Sequence, residues 1–320
     1  MKTISYLFLL LPSLVFSQNL SQNRYFTIQY ENDFFAATDQ YYTQGIRYEW
    51  VNSKFRRLPT RYLLPDLGMN ALNYYGLRMK RDGFTPEQVT DSIIRYGDHP
   101  YGGYTCIGHF LVSNDATQKQ RLSTDFAIGI MGPIGGGQVS QTLIHKWTRN
   151  VKPLGWKYQI ANDVVLKYEI RYDKMVFSRP KWIEMIAFGQ AKVGTLYDNI
   201  GGGGLIRIGK MNSYFGTMTG LAKKGTAEHE TSQKFQLYLF MQARGEIVGY
   251  NAMLQGGIFN RKSPYTVPNY AINRFIAEGY IGATAAYKGV SVDYFLAYLT
   301  PEFSTQTHHQ WGGFTLKMCL

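Results

Sequence analysis

Apolar and polar positions alternate with a period of two along most of the chain. In residues 24–31, Phe26, Ile28 and Tyr30 oppose Thr27, Gln29 and Glu31. In residues 290–299, Val292, Tyr294, Leu296 and Tyr298 oppose Ser291, Asp293 and Ala297, and Phe295 breaks the pattern. Such alternation marks a strand with one apolar and one polar face. Read with the intervening turn residues, it predicts about twelve strands: 24–31, 43–51, 73–80, 103–112, 121–131, 164–175, 182–193, 204–210, 234–247, 273–287, 290–299 and 310–320. An even number brings both chain ends to one side. A soluble sandwich would turn the apolar faces inward and a membrane barrel outward; the period alone does not separate the two.

One segment departs from this rhythm. After Gly135-Gly136-Gly137, residues 138–147 lack alternation and read as a short helix. Gln141 and His145, at i and i+4, share one face, and Val139, Leu143 and Trp147 fall on another. A short amphipathic helix between two strands is an unusual insertion for a plain pore. The run Gly201–Gly204 reads as a turn or a sheet kink. No repeat or linker divides the chain, so residues 18–320 are expected to form one domain.

The N-terminus and composition favour the barrel. Met1-Lys2, the apolar run 6–16 and the small-residue site at Ser17-Gln18 predict a cleaved signal peptide over residues 1–17. No later stretch has the roughly 18 consecutive apolar residues of a membrane helix. Aromatic residues make up 15%, with 25 Tyr and 19 Phe, and there are 33 Gly. Charged residues are 18%, below the roughly 25% usual in soluble domains. An apolar lipid face, aromatic rims and a polar lumen produce this balance. The formal net charge is +12. Behind an export signal it points to lipid phosphates rather than nucleic acid, with a solvated basic surface as the alternative. Cys106 and Cys319 are too far apart in sequence for a metal-ligand motif and are expected to be unpaired.

The chemistry-bearing candidates are few. Glu31-Asn32-Asp33, where the first strand ends, supplies three adjacent oxygen donors of the kind a hard cation takes; acidic strand ends are also common without one. His145, with Gln141 one turn earlier, is a candidate general base, competing with His99, His109, His229, His308 and His309. There is no Gly-x-Ser-x-Gly elbow, His-Glu-x-x-His pair, cysteine cluster or phosphate-binding glycine loop. For an enzyme, that leaves a His-activated water with a cation polarising a carbonyl.

The string Glu31-Asn32-Asp33-Phe34-Phe35, with Tyr41-Tyr42-Thr43-Gln44-Gly45, resembles the opening motif of the lipid A 3′-O-deacylase (LpxR-type) family. Further resemblances follow in order: Asp98-His99-Pro100-Tyr101-Gly102-Gly103, Gly132-Pro133, Gln138-Val139 and Gln141 through His145, Gly155-Trp156 with Gln159, Gly194-Thr195-Leu196-Tyr197, and Glu302-Phe303. The resemblance implies an all-β, twelve-stranded outer-membrane barrel, expected to be monomeric. It implies Ca²⁺-dependent hydrolysis of the ester that holds the 3′-acyl or acyloxyacyl chain of lipid A. The family's catalytic residues fall on Asn32, Asp33, Thr43, Gln141 and His145. The cation is expected on Asp33, Asn32 and Glu31, and the lipid phosphates on Lys80 or Arg81. Two departures stand out: the family's Arg in the Asp-Arg-Pro motif is His99 here, and a Glu found beyond the catalytic His in some members has no match, position 151 being Val151. The rival readings are a non-enzymatic barrel, acting as a pore or binding protein, and an outer-membrane phospholipase, for which no convincing Ser-His arrangement is present.

Overall fold

The computed structural model describes residues 19–38, 40–179, 182–221 and 233–320. The expected signal peptide, Asp39 and His229 lie outside these. Twelve antiparallel strands form a closed ring: β1 (Tyr25–Asn32), β2 (Tyr41–Val51), β3 (Leu72–Thr85), β4 (Gly102–Asp115), β5 (Gln120–Met131), β6 (Asp163–Arg179), β7 (Ile183–Gly194), β8 (Tyr197–Lys210), β9 (Phe235–Asn251), β10 (Phe275–Tyr287), β11 (Val290–Leu299) and β12 (His309–Cys319). Each strand pairs with its sequence neighbours, and β12 closes on β1 from Gly312↔Asn32 to Cys319↔Tyr25. Closure leaves no exposed sheet edge, which is what a membrane-spanning sheet requires. Residues 19 and 20 add a two-residue parallel pairing to the start of β3.

All twelve expected strands are present, most of them longer than the sequence signal. Gly201–Gly204 lies inside β8, paired on both sides, rather than in a turn. Glycines carry no alternation, so this strand's first half had no pattern to read. Cys106 and Cys319 form no disulfide.

The alternation sorts outward from inward. On β11, Val290, Val292, Tyr294, Leu296 and Tyr298 are exposed and Ser291, Asp293, Phe295 and Ala297 are buried. Phe295, the residue out of step, packs inside the barrel against Tyr42, Ala297 and Trp311 near the rim opposite the termini. The lumen holds a cavity of about 610 Å³ lined by charged side chains. These are paired: Arg78 with Glu49 and Asp125, Arg207 with Glu184, Lys80 with Asp82, and Lys317 with Asp293. Buried charges persist in such surroundings only when partnered. At the termini end, residues 211–221 fold into the barrel. Arg121 donates to the carbonyls of Tyr214 and Thr217, and Tyr25 to that of Leu221. Leu221 packs among Tyr25, Val51, Tyr74 and Phe110. Tyr214, Met218, Thr219 and Gly220 of this segment line the luminal cavity.

Candidate active site

The rim opposite the termini carries α1 (Gly137–Thr148) between β5 and β6. Its placement depends on glycine. A Cβ on Gly103 would come within 2.9 Å of the Gly137 Cα, and one on Gly137 within 2.8 Å of the Trp156 ring. The first turn of the helix therefore lies directly on β4 and Trp156. Gly136, with φ +80°, makes the reversal into the helix.

The helix is amphipathic in an inverted sense. Gln141 (1% exposed) and His145 (6%) face the barrel wall, whereas Val139 (59%), Leu143 (61%) and Trp147 (86%) point away from the protein. In water this arrangement would expose the apolar stripe. Beside a barrel it turns that stripe to lipid.

Opposite α1, β1 ends at Asn32, whose Oδ1 accepts from the Phe34 N–H and caps a 3₁₀ turn over Asp33–Ala36. Phe35 pins the turn to the outer wall through Tyr30, Tyr294 and Phe314. Asp33 is buried, and its Oδ2 accepts from the Gln40 N–H at 2.7 Å.

Thr43 joins the two parts. The register of β2 against β3 slips between Tyr42 and Gln44, so Thr43 is the extra residue of a β-bulge. A bulge breaks the alternation and re-aims the residues around it. Tyr42 turns into the lumen, where its hydroxyl donates to Glu31 (2.6 Å). Thr43 and Gln44 both face α1: Gln141 Nε2 donates to Thr43 Oγ1 at 3.2 Å, and Gln44 Nε2 to the Gly137 carbonyl at 3.4 Å. The Asn32 amide donates to the Thr43 carbonyl at 2.6 Å. Asn32, Thr43 and Gln141 thus form one hydrogen-bonded chain on the outer side of the wall, with His145 one helical turn along.

His145 is oriented by the end of its own helix. Arg149 adopts the left-handed conformation, and the Asn150 N–H donates to the His145 carbonyl at 2.9 Å. The chain reverses there and brings the Val151 carbonyl within 2.6 Å of His145 Nδ1. A carbonyl only accepts, so Nδ1 carries the proton and Nε2 is left as the basic nitrogen. A backbone oxygen thus holds the ring.

Two expected ligands lie elsewhere. Glu31 adjoins Asn32 on the strand and so points the opposite way, into the lumen beside Tyr42. Lys80 likewise faces the lumen, 2.8 Å from Asp82. Its neighbour Arg81 faces α1, donating to Thr105 Oγ1 (2.9 Å) and Ser140 Oγ (3.1 Å). Residues the sequence reading gave no role also build the site. Trp156 donates its indole N–H to Gln141 Oε1 at 2.7 Å, and Tyr101 packs on the Trp156 ring at 5.0 Å. The motif 98–103 is therefore scaffolding for α1. His99 is buried within it, stacked on Phe84, and burial lowers its pKa to about 4.

Asp33 supplies a carboxylate and its neighbour Asn32 an amide oxygen, donor types a hard cation such as calcium takes. Among the described residues no three His, Cys, Asp or Glu side chains converge as a metal site. A cation there would complete its shell with water and ligand oxygens.

A closed twelve-stranded barrel with a lipid-facing polar site beneath a rim helix defines an outer-membrane β-barrel protein. A family model described as outer membrane protein LpxR matches residues 3–320, and the chain belongs to that family. Among solved structures, LpxR from Salmonella typhimurium superposes with a TM-score of 0.72 at 19% identity, covering 92% of this chain and 100% of that one. The β domain of the Bordetella autotransporter BrkA reaches a TM-score of 0.44 at 9% identity, over 92% of this chain and 98% of that one. No curated protein matches the chain.

Proposed function

We propose that the chain is an outer-membrane deacylase that hydrolyses the 3′-linked acyl or acyloxyacyl ester of lipid A, with His145 as general base. Membership of the LpxR family supports a lipid A deacylase. The observation that carries the reading is the Gln141–Thr43 hydrogen bond, which ties the helix bearing His145 to the Asn32–Asp33 turn on the lipid side of the wall.

In this scheme His145 Nε2 takes a proton from water as the water oxygen bonds to the ester carbonyl carbon. The tetrahedral intermediate collapses, the bond to the sugar oxygen breaks, and His145 returns the proton to that oxygen. Thr43 and Gln141 orient the water and the carbonyl. Calcium bound at Asp33, with Asn32 beside it, would supply charge to polarise the carbonyl. Arg81, on the lipid side beside the first turn of α1, is the better placed of the two basic residues to meet a lipid A phosphate.

Mass spectrometry of lipid A from cells expressing the protein tests this. Loss of one 3′-acyl or acyloxyacyl group is expected with wild type, and not with His145→Ala or in the presence of a calcium chelator. Unchanged lipid A from a folded wild-type barrel would overturn the reading.

A further inference from the structure

The loop between β2 and β3, at the end of the barrel that carries the termini, does not hang free. Two 3₁₀ turns, Ser53–Arg57 and Pro59–Leu63, run across the outer wall. The Asn52 side chain caps the first, accepting from the Lys54 N–H at 3.0 Å. Thr60 Oγ1 lies 2.6 Å from His109 Nδ1 on β4, and the Tyr168 hydroxyl of β6 donates to the Leu63 carbonyl at 2.9 Å. Leu64 is buried with Tyr75 of β3 and Leu111 of β4, and Phe55 meets the Trp50 ring edge-on at 5.3 Å. The neighbours of these wall residues, Phe110, Lys167 and Glu169, line the lumen. His109 and Tyr168 therefore point outward, and the segment crosses the lipid face of four strands.

Its composition is that of a membrane interface. Lys54, Arg56, Arg57 and Arg61 fall within eight residues, and the first acid after them is Asp66, whose carboxylate accepts from the Gly68 N–H. Lys54 and Arg57 are exposed, as are Trp50, Tyr62 and Leu63, and the Arg61 guanidinium stacks on Tyr62 at 4.5 Å. Basic and aromatic residues side by side on a lipid-facing wall are the combination a membrane–water interface favours.

We propose that residues 53–64 form a binding site for anionic glycerophospholipid headgroups. An even number of strands puts this loop and both termini at one end of the barrel, opposite α1; in outer-membrane barrels that end faces the periplasm, where the leaflet is phospholipid. The site is thus on the opposite membrane face from α1, and it stands whether or not the deacylase reading does.

Native mass spectrometry of the full chain tests it, using micelles doped equally with phosphatidylglycerol and phosphatidylethanolamine. Wild type is expected to retain phosphatidylglycerol preferentially. The triple variant Lys54→Gln, Arg57→Gln, Arg61→Gln should retain at least roughly tenfold less, since each base near an anionic surface contributes a several-fold factor. Lys119→Gln with Lys288→Gln, two exposed lysines on other turns at the same end, should behave as wild type. Heat-dependent gel mobility reports that each barrel is folded. If the triple variant does not fold, the charge-conserving pair Arg57→Lys, Arg61→Lys carries the test and should keep the lipid. Wild type without preference, a folded triple variant with wild-type retention, equal loss in the lysine control, or loss in the charge-conserving pair would overturn the proposal.

Discussion

Trp156 Nε1 donates to Gln141 Oε1 at 2.7 Å, and this bond decides which end of the Gln141 amide faces Thr43. With the oxygen held by the indole, the amide NH₂ must point at the Thr43 hydroxyl. Trp156→Phe keeps a ring against Tyr101 and removes the donor. One neutral hydrogen bond is worth about 0.5–1.5 kcal/mol, so kcat should fall roughly 3- to 10-fold with KM little changed. Steady-state kinetics at wild-type kcat would show that the amide is held by other means.

Removing the base should cost more. His145→Ala is expected to lower turnover by about 10²–10⁴-fold with the barrel intact. A loss of only two- or threefold would reject the assigned role.

Gly137→Ala probes the seating of α1 without touching a polar group. The added methyl would meet the Trp156 ring at 2.8 Å and push the first turn off β4. Activity should fall at least about tenfold, the order of effect expected of small misplacements of catalytic groups. The thermal midpoint of the barrel should barely move. Wild-type activity would mean that the helix tolerates the displacement.

The rim loops should give stability opposing pH dependences. Burial, with Glu278 nearby, raises the Glu302 pKa to about 7. The folded chain therefore binds more protons there than the unfolded one between about pH 4.5 and 7, and this contribution is lost as pH rises through 7. His99 works in the reverse direction. Its pKa falls from 6.5 to about 4, so its contribution is present above pH 6.5 and lost as pH falls toward 4. Urea unfolding in lipid as a function of pH should show Glu302→Gln removing the alkaline decline and His99→Gln removing the acid one. Profiles parallel to wild type would contradict these assignments.

How much of this was legible depended on whether a residue's signal was local. The alternation of Phe26, Ile28 and Tyr30 against Thr27, Gln29 and Glu31 is a property of the strand itself, and it gave the strands, while the N-terminal segment and the composition pointed to the barrel. The same alternation, applied to neighbours, separates Glu31 from Asn32 and Lys80 from Arg81; grouping them by adjacency ignored it. The bulge at Thr43 was not readable, because register is set by the partner strand β3. Phe295 looked like an error in the pattern because its reason, the cluster with Tyr42 and Trp311, lies on other strands. The Val151 carbonyl could not be found from side-chain identity, since any residue there supplies one.

The location of Thr43, Gln141 and His145 on the outside of the wall has an energetic consequence for the proposed substrate. A site inside the lumen would require a lipid to leave its leaflet, at about 0.8 kcal/mol for every methylene drawn from hydrocarbon. A site on the outer wall requires only sideways diffusion in two dimensions. The fatty tails remain solvated by their neighbours throughout, and the protein need bind only the ester and the sugar it hangs from.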